Sequence, residues 1–325
     1  MSYSEKQREL CIGLRDKLIG DPGRGLYSKI ERDFVLSQPE LNLMESIRTE
    51  AEKYFNDNNI PFWNIGEARP VGVNKPSGHM LSSQIACINH LFFLRQLQDI
   101  ATAVLKGIDN NVKIALRLDN DKTDLGFVSF EVIGKKNYLN ERRHNRGAYS
   151  TSVDAVMLAE MQNRSRKLFI IEWKYVEQYK GKQSKLVEKG GETRKKTYLS
   201  LFQQEDCPII IPELNDTFIK GIFYEPFYQL MRQTLLANEM AKAKDFGATD
   251  YIHLHLIPTA NEELKLENTS NGILRGSSLQ EAWTNLLKSP DKYKAIDPKD
   301  FLEPAKRFSD AMTTIKYLEQ RYWNR

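Results

Sequence analysis

The sequence predicts an α/β fold, a central mixed β-sheet flanked by helices with helical additions at its N- and C-terminal ends. Three observations carry that expectation. Residues 82–106 form an apolar run of helical length, four strand-like segments follow between Val112 and Val176, and an amphipathic helix from Phe227 leads into the apolar segment DYIHLHLIP. Helix-period and strand-period patterns alternating in this way place helices against a sheet.

Taken in order, residues 4–20 read as a short helix stopped by the Gly/Pro-rich GDPGRG. Ser37 with Glu40 three residues on reads as a capping box opening a second helix that runs to about Asn58. The segment IPFWNIGEARPVGVNKPSGH is a long Pro/Gly-punctuated loop, and loops of that length tend to be functional or tightly packed. The run from Ser82 to about Lys106 is apolar on most faces, which marks a buried helix. VKIALRL from Val112 and LGFVSFEVI from Leu125 read as strands, and TSVDAVMLAEMQNRSRKLFIIEWKYVE (151–177) as a hairpin centred near residue 163. PIIIPEL and FIKGIFY are strand-like but open in type.

In the helix from Phe227, residues Phe227, Leu230, Met231, Thr234 and Leu235 fall on one stripe, and Gln229, Arg232 and Gln233 on another. Beyond the strand at 250–258, Ser278 and Glu281 form a second capping box, and a last helix spans about Asp300 to Tyr322 with Pro304 near its first turn. The chain divides into an N-terminal arm (1–79), a core (80–258) and a helical C-terminal cap (259–325), joined as one compact unit.

Composition narrows the class. Hydrophobic residues make up 41% and charged residues 28% of 325, as in an ordinary globular protein. No apolar run approaches the ~20 residues of a membrane helix, and the polar start MSYSEKQREL lacks the apolar stretch of a secretion signal. Three widely spaced cysteines, Cys11, Cys87 and Cys207, argue against a disulfide framework and for a reducing cytoplasm. The phosphate-loop pattern of nucleotide-driven motors is absent from the sequence, which argues against NTP-driven translocation within this chain.

The net charge of +4 is unevenly spread. Residues 135–146 carry five Lys/Arg against the single acid Glu141, and residues 180–196 carry seven against Glu188 and Glu192. Arg142, Arg143, Arg146, Lys180, Lys182, Lys185, Arg194, Lys195 and Lys196 are therefore expected to face a polyanion, a nucleic-acid backbone above all.

Between these basic segments lies the chemistry. Strand alternation puts Leu168, Ile170, Glu172 and Lys174 on one face and Phe169, Ile171, Trp173 and Tyr175 on the other. The hairpin brings Asp154 to the same sheet end. Two carboxylates there suit a hard cation such as Mg²⁺, which keeps several waters and binds substrate phosphate. Lys174 is then the base or the group that orients the attacking water. The alternative is a buried Glu172–Lys174 ion pair with Asp154 as a strand-edge cap.

Asp154, then Glu172-Trp173-Lys174 on the next strand, resembles the PD-(D/E)xK nuclease superfamily with its restriction-endonuclease-like fold. The order of elements over about 80–258 matches as well. GHMLSSQIACINHLFFL, YEPFYQLMRQTLLA and the terminal YLEQRYW look like an uncharacterised bacterial restriction-endonuclease branch. Val153 rather than Pro precedes Asp154, a departure from the motif's name.

The resemblance implies Mg²⁺, with Mn²⁺ as substitute, held by Asp154, Glu172 and the Trp173 backbone carbonyl. It also implies further roles for Gln229 and Gln233 on a helix facing the site, and for Glu67 as a third carboxylate. The expected function is a Mg²⁺-dependent endonuclease of restriction or defence type acting on double-stranded DNA, with a homodimer expected by analogy alone. The second expectation is a nuclease fold that binds nucleic acid without cutting it. His253 and His255 share a strand face and read as core or edge histidines rather than zinc ligands.

Overall fold

Two hydrophobic clusters, one on each face of a six-stranded mixed sheet, organise the computed structural model of the protein. It describes residues 1–323 apart from 65, 68–71, 124, 148–149, 180–183, 212–215 and 267–275, with the side chains of 216 and 217 also excluded. Helix α1 (Tyr3–Leu14) opens on a true capping box, in which the Ser2 hydroxyl accepts from Glu5 N and Ser2 N donates to the Glu5 carboxylate. After one π-helical turn the chain leaves through Gly20 at φ 78°, a left-handed position that suits glycine. A small hairpin, β1 (Gly25–Tyr27) and β2 (Ile30–Arg32), precedes α2 (Arg48–Asp57).

The helix expected from Ser37 begins later. Ser37 donates instead to Asp21, which also accepts from Gln38 N, and residues 39–42 and 45–47 form separate 3₁₀ turns before α2. The buried run from Ser82 is likewise two helices, α3 (Ser83–Leu91) and α4 (Gln98–Ile108). Its break has a local cause. The Arg95 carbonyl accepts from Phe127 N, and the Arg95 guanidinium, fully buried, stacks 3.7 Å over the Tyr54 ring beside Asp121.

Strands β3 (Val112–Leu116) and β4 (Val128–Val132) lie one after the other along the same edge of β5 (Val153–Met161). On the other edge, antiparallel β6 (Arg166–Trp173) closes the expected hairpin with Ala155 opposite Ile171 and Glu160 opposite Arg166. A long crossover follows through α5 (Gly191–Phe202), α6 (Asp216–Ile222) and α7 (Phe227–Lys242), and β7 (Asp250–Leu256) then pairs parallel with β6. FIKGIFY is thus helical, and part of the second basic segment is a helix.

Helices α8 (Glu262–Lys265) and α9 (Leu279–Thr284) lead to β8 (Tyr293–Ile296), which pairs parallel with β7. The C-terminal cap therefore also supplies a sheet strand, one too short and too mixed in polarity to read from its pattern. The last helix is in pieces, α10 (Pro298–Leu302), two 3₁₀ turns, α11 (Met312–Leu318) and a π-helical turn, because Pro304 and the extended Phe308 interrupt it.

Alternation along β6 holds as expected. Phe169, Ile171 and Trp173 pack with α3, α4 and the C-terminal helices, while Leu168 and Ile170 pack with α5 and α7. Phe169 and Ile171 are fully buried, each contributing about 1.5–3 kcal/mol. Residues of the N-terminal arm, the core and the C-terminal cap share the first cluster, which ties the ends of the chain to the sheet.

Candidate active site

At the end of β6 the apolar alternation gives way to charge. Glu172 and Lys174 are 2% and 4% exposed, and Lys174 Nζ donates to Glu172 Oε1 at 2.6 Å. Two glutamines of α7 complete the group. Gln229 Oε1 accepts from Lys174 Nζ and Gln229 Nε2 donates to Glu172 Oε1, both at 2.6 Å. Gln233 Nε2 donates to Glu172 Oε2 and reaches the Ser152 carbonyl at 3.3 Å. The polar stripe of α7 faces the sheet end because the apolar stripe (Phe227, Leu230, Met231, Thr234, Leu235) is buried beside it.

Asp154 comes from the neighbouring strand. The register that sets Ala155 against Ile171 brings Asp154 level with Glu172, and Asp154 Oδ2 accepts the Trp173 N–H at 2.7 Å. Among the described residues no hydrogen bond reaches Asp154 Oδ1. A residue of extended backbone turns its N–H and C=O to the same edge, so the Trp173 carbonyl also looks toward β5. It accepts from Ser83 Oγ at 3.2 Å and keeps a second lone pair.

Glu131, a carboxylate not singled out in the sequence, also lies here. Glu131 in β4 sits between Phe130, paired with Ala155, and Val132, paired with Val153, which places it beside Asp154. Its φ of 49° breaks the alternation, so that Phe130 and Val132 join opposite clusters. Trp63 Nε1 and Gln84 Nε2 both donate to Glu131 Oε1 at 2.9 Å, and Ser152 Oγ donates to Oε2 at 2.9 Å. The signal was present in LGFVSFEVI, a glutamate inside an apolar strand, as Glu172 is.

Three carboxylates, Glu172 and Glu131 buried and Asp154 half-buried, stand against one ammonium and leave this end of the sheet short of positive charge. Burial first, then the charges of Glu172 and Glu131, push the Asp154 carboxyl well above the usual range. Burial also raises Glu131, with Glu172 adding to it against the hydrogen bonds from Trp63, Gln84 and Ser152. Burial works against the Lys174 ammonium, but Glu172, Tyr179, Glu177 and Asp154 together outweigh it and hold its pKa well above normal. So held beside Glu172, Lys174 is placed as the orienting and charge-compensating role requires.

The donor chemistry fits a hard divalent cation. All the acidic ligand atoms are oxygens, Asp154 Oδ1 is open, and the charge deficit is of the sign a cation corrects. Among the described residues no three His, Cys, Asp or Glu side chains form a ready metal cage. Asp154 and Glu172 are thus the pair to be tested, in keeping with a Mg²⁺ that retains most of its waters.

The other candidates divide. Glu67 lies in the long loop, where it accepts from Ser77 Oγ and, at 2.9 Å, from Gly78 N. Arg146 is a structural residue rather than a surface cation. Its guanidinium reaches the Glu131 and Asn58 carbonyls and pairs at 3.1 Å with Asp121, a fully buried acid. Arg142, Arg143 and Lys196 are exposed, Lys195 half-buried, Lys185 pairs with Glu188 at 2.6 Å, and Arg194 caps the Lys185 and Lys189 carbonyls. Lys180 and Lys182 lie outside the described residues.

Both basic segments are tied to the head of β5. Glu141 accepts from Thr151 N and Oγ1 at 2.5 Å and from Tyr198 Oη at 2.6 Å, joining the 135–146 loop to α5. Arg232 reaches Thr151 Oγ1 at 3.3 Å and stacks on Tyr228, so it braces this joint instead of entering the carboxylate group. His253 and His255 are core residues, bonded through Nδ1 to Thr234 Oγ1 at 3.2 Å and Tyr293 Oη at 2.9 Å. Cys11, Cys87 and Cys207 are buried free thiols, and among the described residues no helix is long and apolar enough to cross a membrane.

The profile of a family described as "Restriction Endonuclease associating with ARP" matches residues 17–323. No curated protein and no solved structure gives a significant match.

Proposed function

Because the chain belongs to this family of restriction endonucleases associating with ARP, we propose that it is a Mg²⁺-dependent nuclease that hydrolyses DNA phosphodiester bonds, an endonuclease of restriction or defence type. One observation carries the reading, the convergence of Asp154, Glu172, Lys174 and Gln229 at one end of the sheet. Asp154 and Glu172 would hold the cation, with the Trp173 carbonyl beside them. A divalent ion so held lowers the pKa of a bound water and offsets charge on a phosphoryl oxygen.

The chain's own residues supply the rest. Lys174 presents a fixed ammonium, aimed by Glu172 and Gln229, that orients a water and compensates negative charge as it develops. Gln229 and Gln233 hold the Glu172 carboxylate in one orientation, and the Trp173 N–H does the same for Asp154. Arg142, Arg143, Lys185, Arg194, Lys195 and Lys196, with Lys180 and Lys182, would track the phosphate backbone without reading sequence. Cutting both strands would call for two such sites, hence a pair of chains.

A second reading has its own support. Both oxygens of Glu172 are already engaged by Lys174, Gln229 and Gln233, as in a nuclease fold that binds nucleic acid and does not cut it. Incubation of purified protein with plasmid and oligonucleotides in Mg²⁺ or Mn²⁺ separates the two. Cleavage that depends on the metal and is lost in Asp154→Ala supports the nuclease. Salt-sensitive binding without cutting supports the alternative, and cutting that survives in Asp154→Ala or Lys174→Ala rejects the assigned residues.

A further inference from the structure

Trp173 and Lys174 also belong to the wall of a cleft of about 470 Å³ between the end of β6, α3 and the C-terminal turn. Aromatic side chains back part of its wall. The His90 ring lies 4.5 Å from Trp173, 4.7 Å from Tyr322 and 5.7 Å from Trp323. His90 is spent as a polar group, its Nδ1 on the Ala86 carbonyl at 2.7 Å and its Nε2 accepting the Trp323 N–H at 3.1 Å. The Trp173 indole N–H is different, since it is buried and has no hydrogen-bond partner among the described atoms.

The lining selects a class of ligand. Asp297 and Asp300 balance Lys174 and Lys299, and Lys174 is already committed to Glu172, so the cleft has no surplus positive charge for a phosphate. It offers the half-buried Trp323 ring and a polar rim, in a volume within the range of small-ligand sites. Consecutive residues, Trp173 and Lys174, serve the cleft and the carboxylate site.

We propose that this cleft receives one unpaired nucleobase of the bound strand, next to the phosphate presented to Asp154 and Glu172. The base stacks on the ring of Trp323, at the half-buried outer side of the wall. The proposal rests on the nuclease reading for its choice of nucleic acid, and its test is built to fail separately.

The test is an abasic scan. A short fluorescein-labelled oligonucleotide is titrated in EDTA, single-stranded and as a duplex, with one position at a time made abasic, and binding is followed by anisotropy. In the wild-type protein one position should lose affinity by roughly fivefold to a hundredfold when its base is removed. Trp323→Ala should bind base and abasic strands alike, and Trp323→Phe should restore the difference, with thermal melts confirming folded protein. The single-stranded arm reports a base already unpaired, and the duplex arm a base turned out of the helix.

A flat scan in both arms of the wild-type protein, or a position-specific loss unchanged in Trp323→Ala, overturns the proposal. If plasmid is cut while the scan is flat, the cleft proposal alone fails. If the scan shows its position while no metal produces cutting, the nuclease reading fails and the cleft stands.

Discussion

The Trp173 backbone N–H donates to Asp154 Oδ2 at 2.7 Å, so the strand that carries Glu172 and Lys174 also aims the second carboxylate. Asp154 is thereby held close to Glu172 and Glu131 without a cation of its own, and function and stability are set against each other.

Asp154→Asn should abolish detectable cutting, a loss beyond the ten- to hundredfold typical of groups that only support a ligand. In EDTA the same variant should melt above the wild type, because the like-charge contact of a half-buried carboxyl with buried Glu172 and Glu131 is removed. Mg²⁺ should raise the melting temperature of the wild type and leave that of Asp154→Asn unchanged. A variant that melts lower in EDTA would contradict this account of the site.

Lys174→Ala leaves Glu172 buried and unpaired, which costs about 3–5 kcal/mol as well as activity. The double variant Glu172→Gln/Lys174→Met should regain much of the stability in urea denaturation and none of the cleavage. Equal instability of single and double variants would show that the pair is not the source.

Gln229→Ala and Gln233→Ala should each lower the cleavage rate by about ten- to hundredfold and raise the Mg²⁺ concentration needed, with DNA affinity in EDTA nearly unchanged. Rate measurements across a Mg²⁺ series check this.

Arg142→Ala, Arg143→Ala and Lys196→Ala should weaken binding evenly across sequences, each reducing the salt slope of log affinity by roughly one. Arg146→Ala should instead lower the melting temperature, since it leaves Asp121 with less charge compensation. A salt slope lowered in Arg146→Ala with no loss of stability would restore it to the DNA-facing group.

His253 is held down to about 3, first by burial and then by the charge of Lys174. Between that value and the unfolded value near 6.5 only the unfolded chain carries the proton. Its stabilising share is full above the unfolded value and is lost as pH falls through this window, by up to about 1.4 kcal/mol per pH unit. His253→Gln should flatten the acid limb of a urea-midpoint profile, whatever its effect at neutral pH.

Much of this was legible because it rests on local periodicity. Period-two alternation in β6 separates Glu172 and Lys174 from Trp173 and Tyr175, and the 3.6-residue period of α7 sends Gln229 and Gln233 to one side. What was not legible depends on partners distant in sequence. Arg95 breaks the buried helix because Phe127 and Asp121 draw it away, and Ser37 leaves its capping position for Asp21. Glu131 was visible as a glutamate inside an apolar strand, but its place beside Asp154 depends on a left-handed backbone that a strand pattern does not announce.

The pairing of β5 with β6 sets Ala155 against Ile171 through a turn that has Arg164 at φ 68°. A slip of one residue there would move Asp154 to the opposite face of the sheet and leave every helix intact. Recovered cleavage after refolding therefore counts the molecules whose hairpin closed in register. Helical circular dichroism would count both populations alike, so the gap between the two yields measures the fidelity with which this hairpin forms.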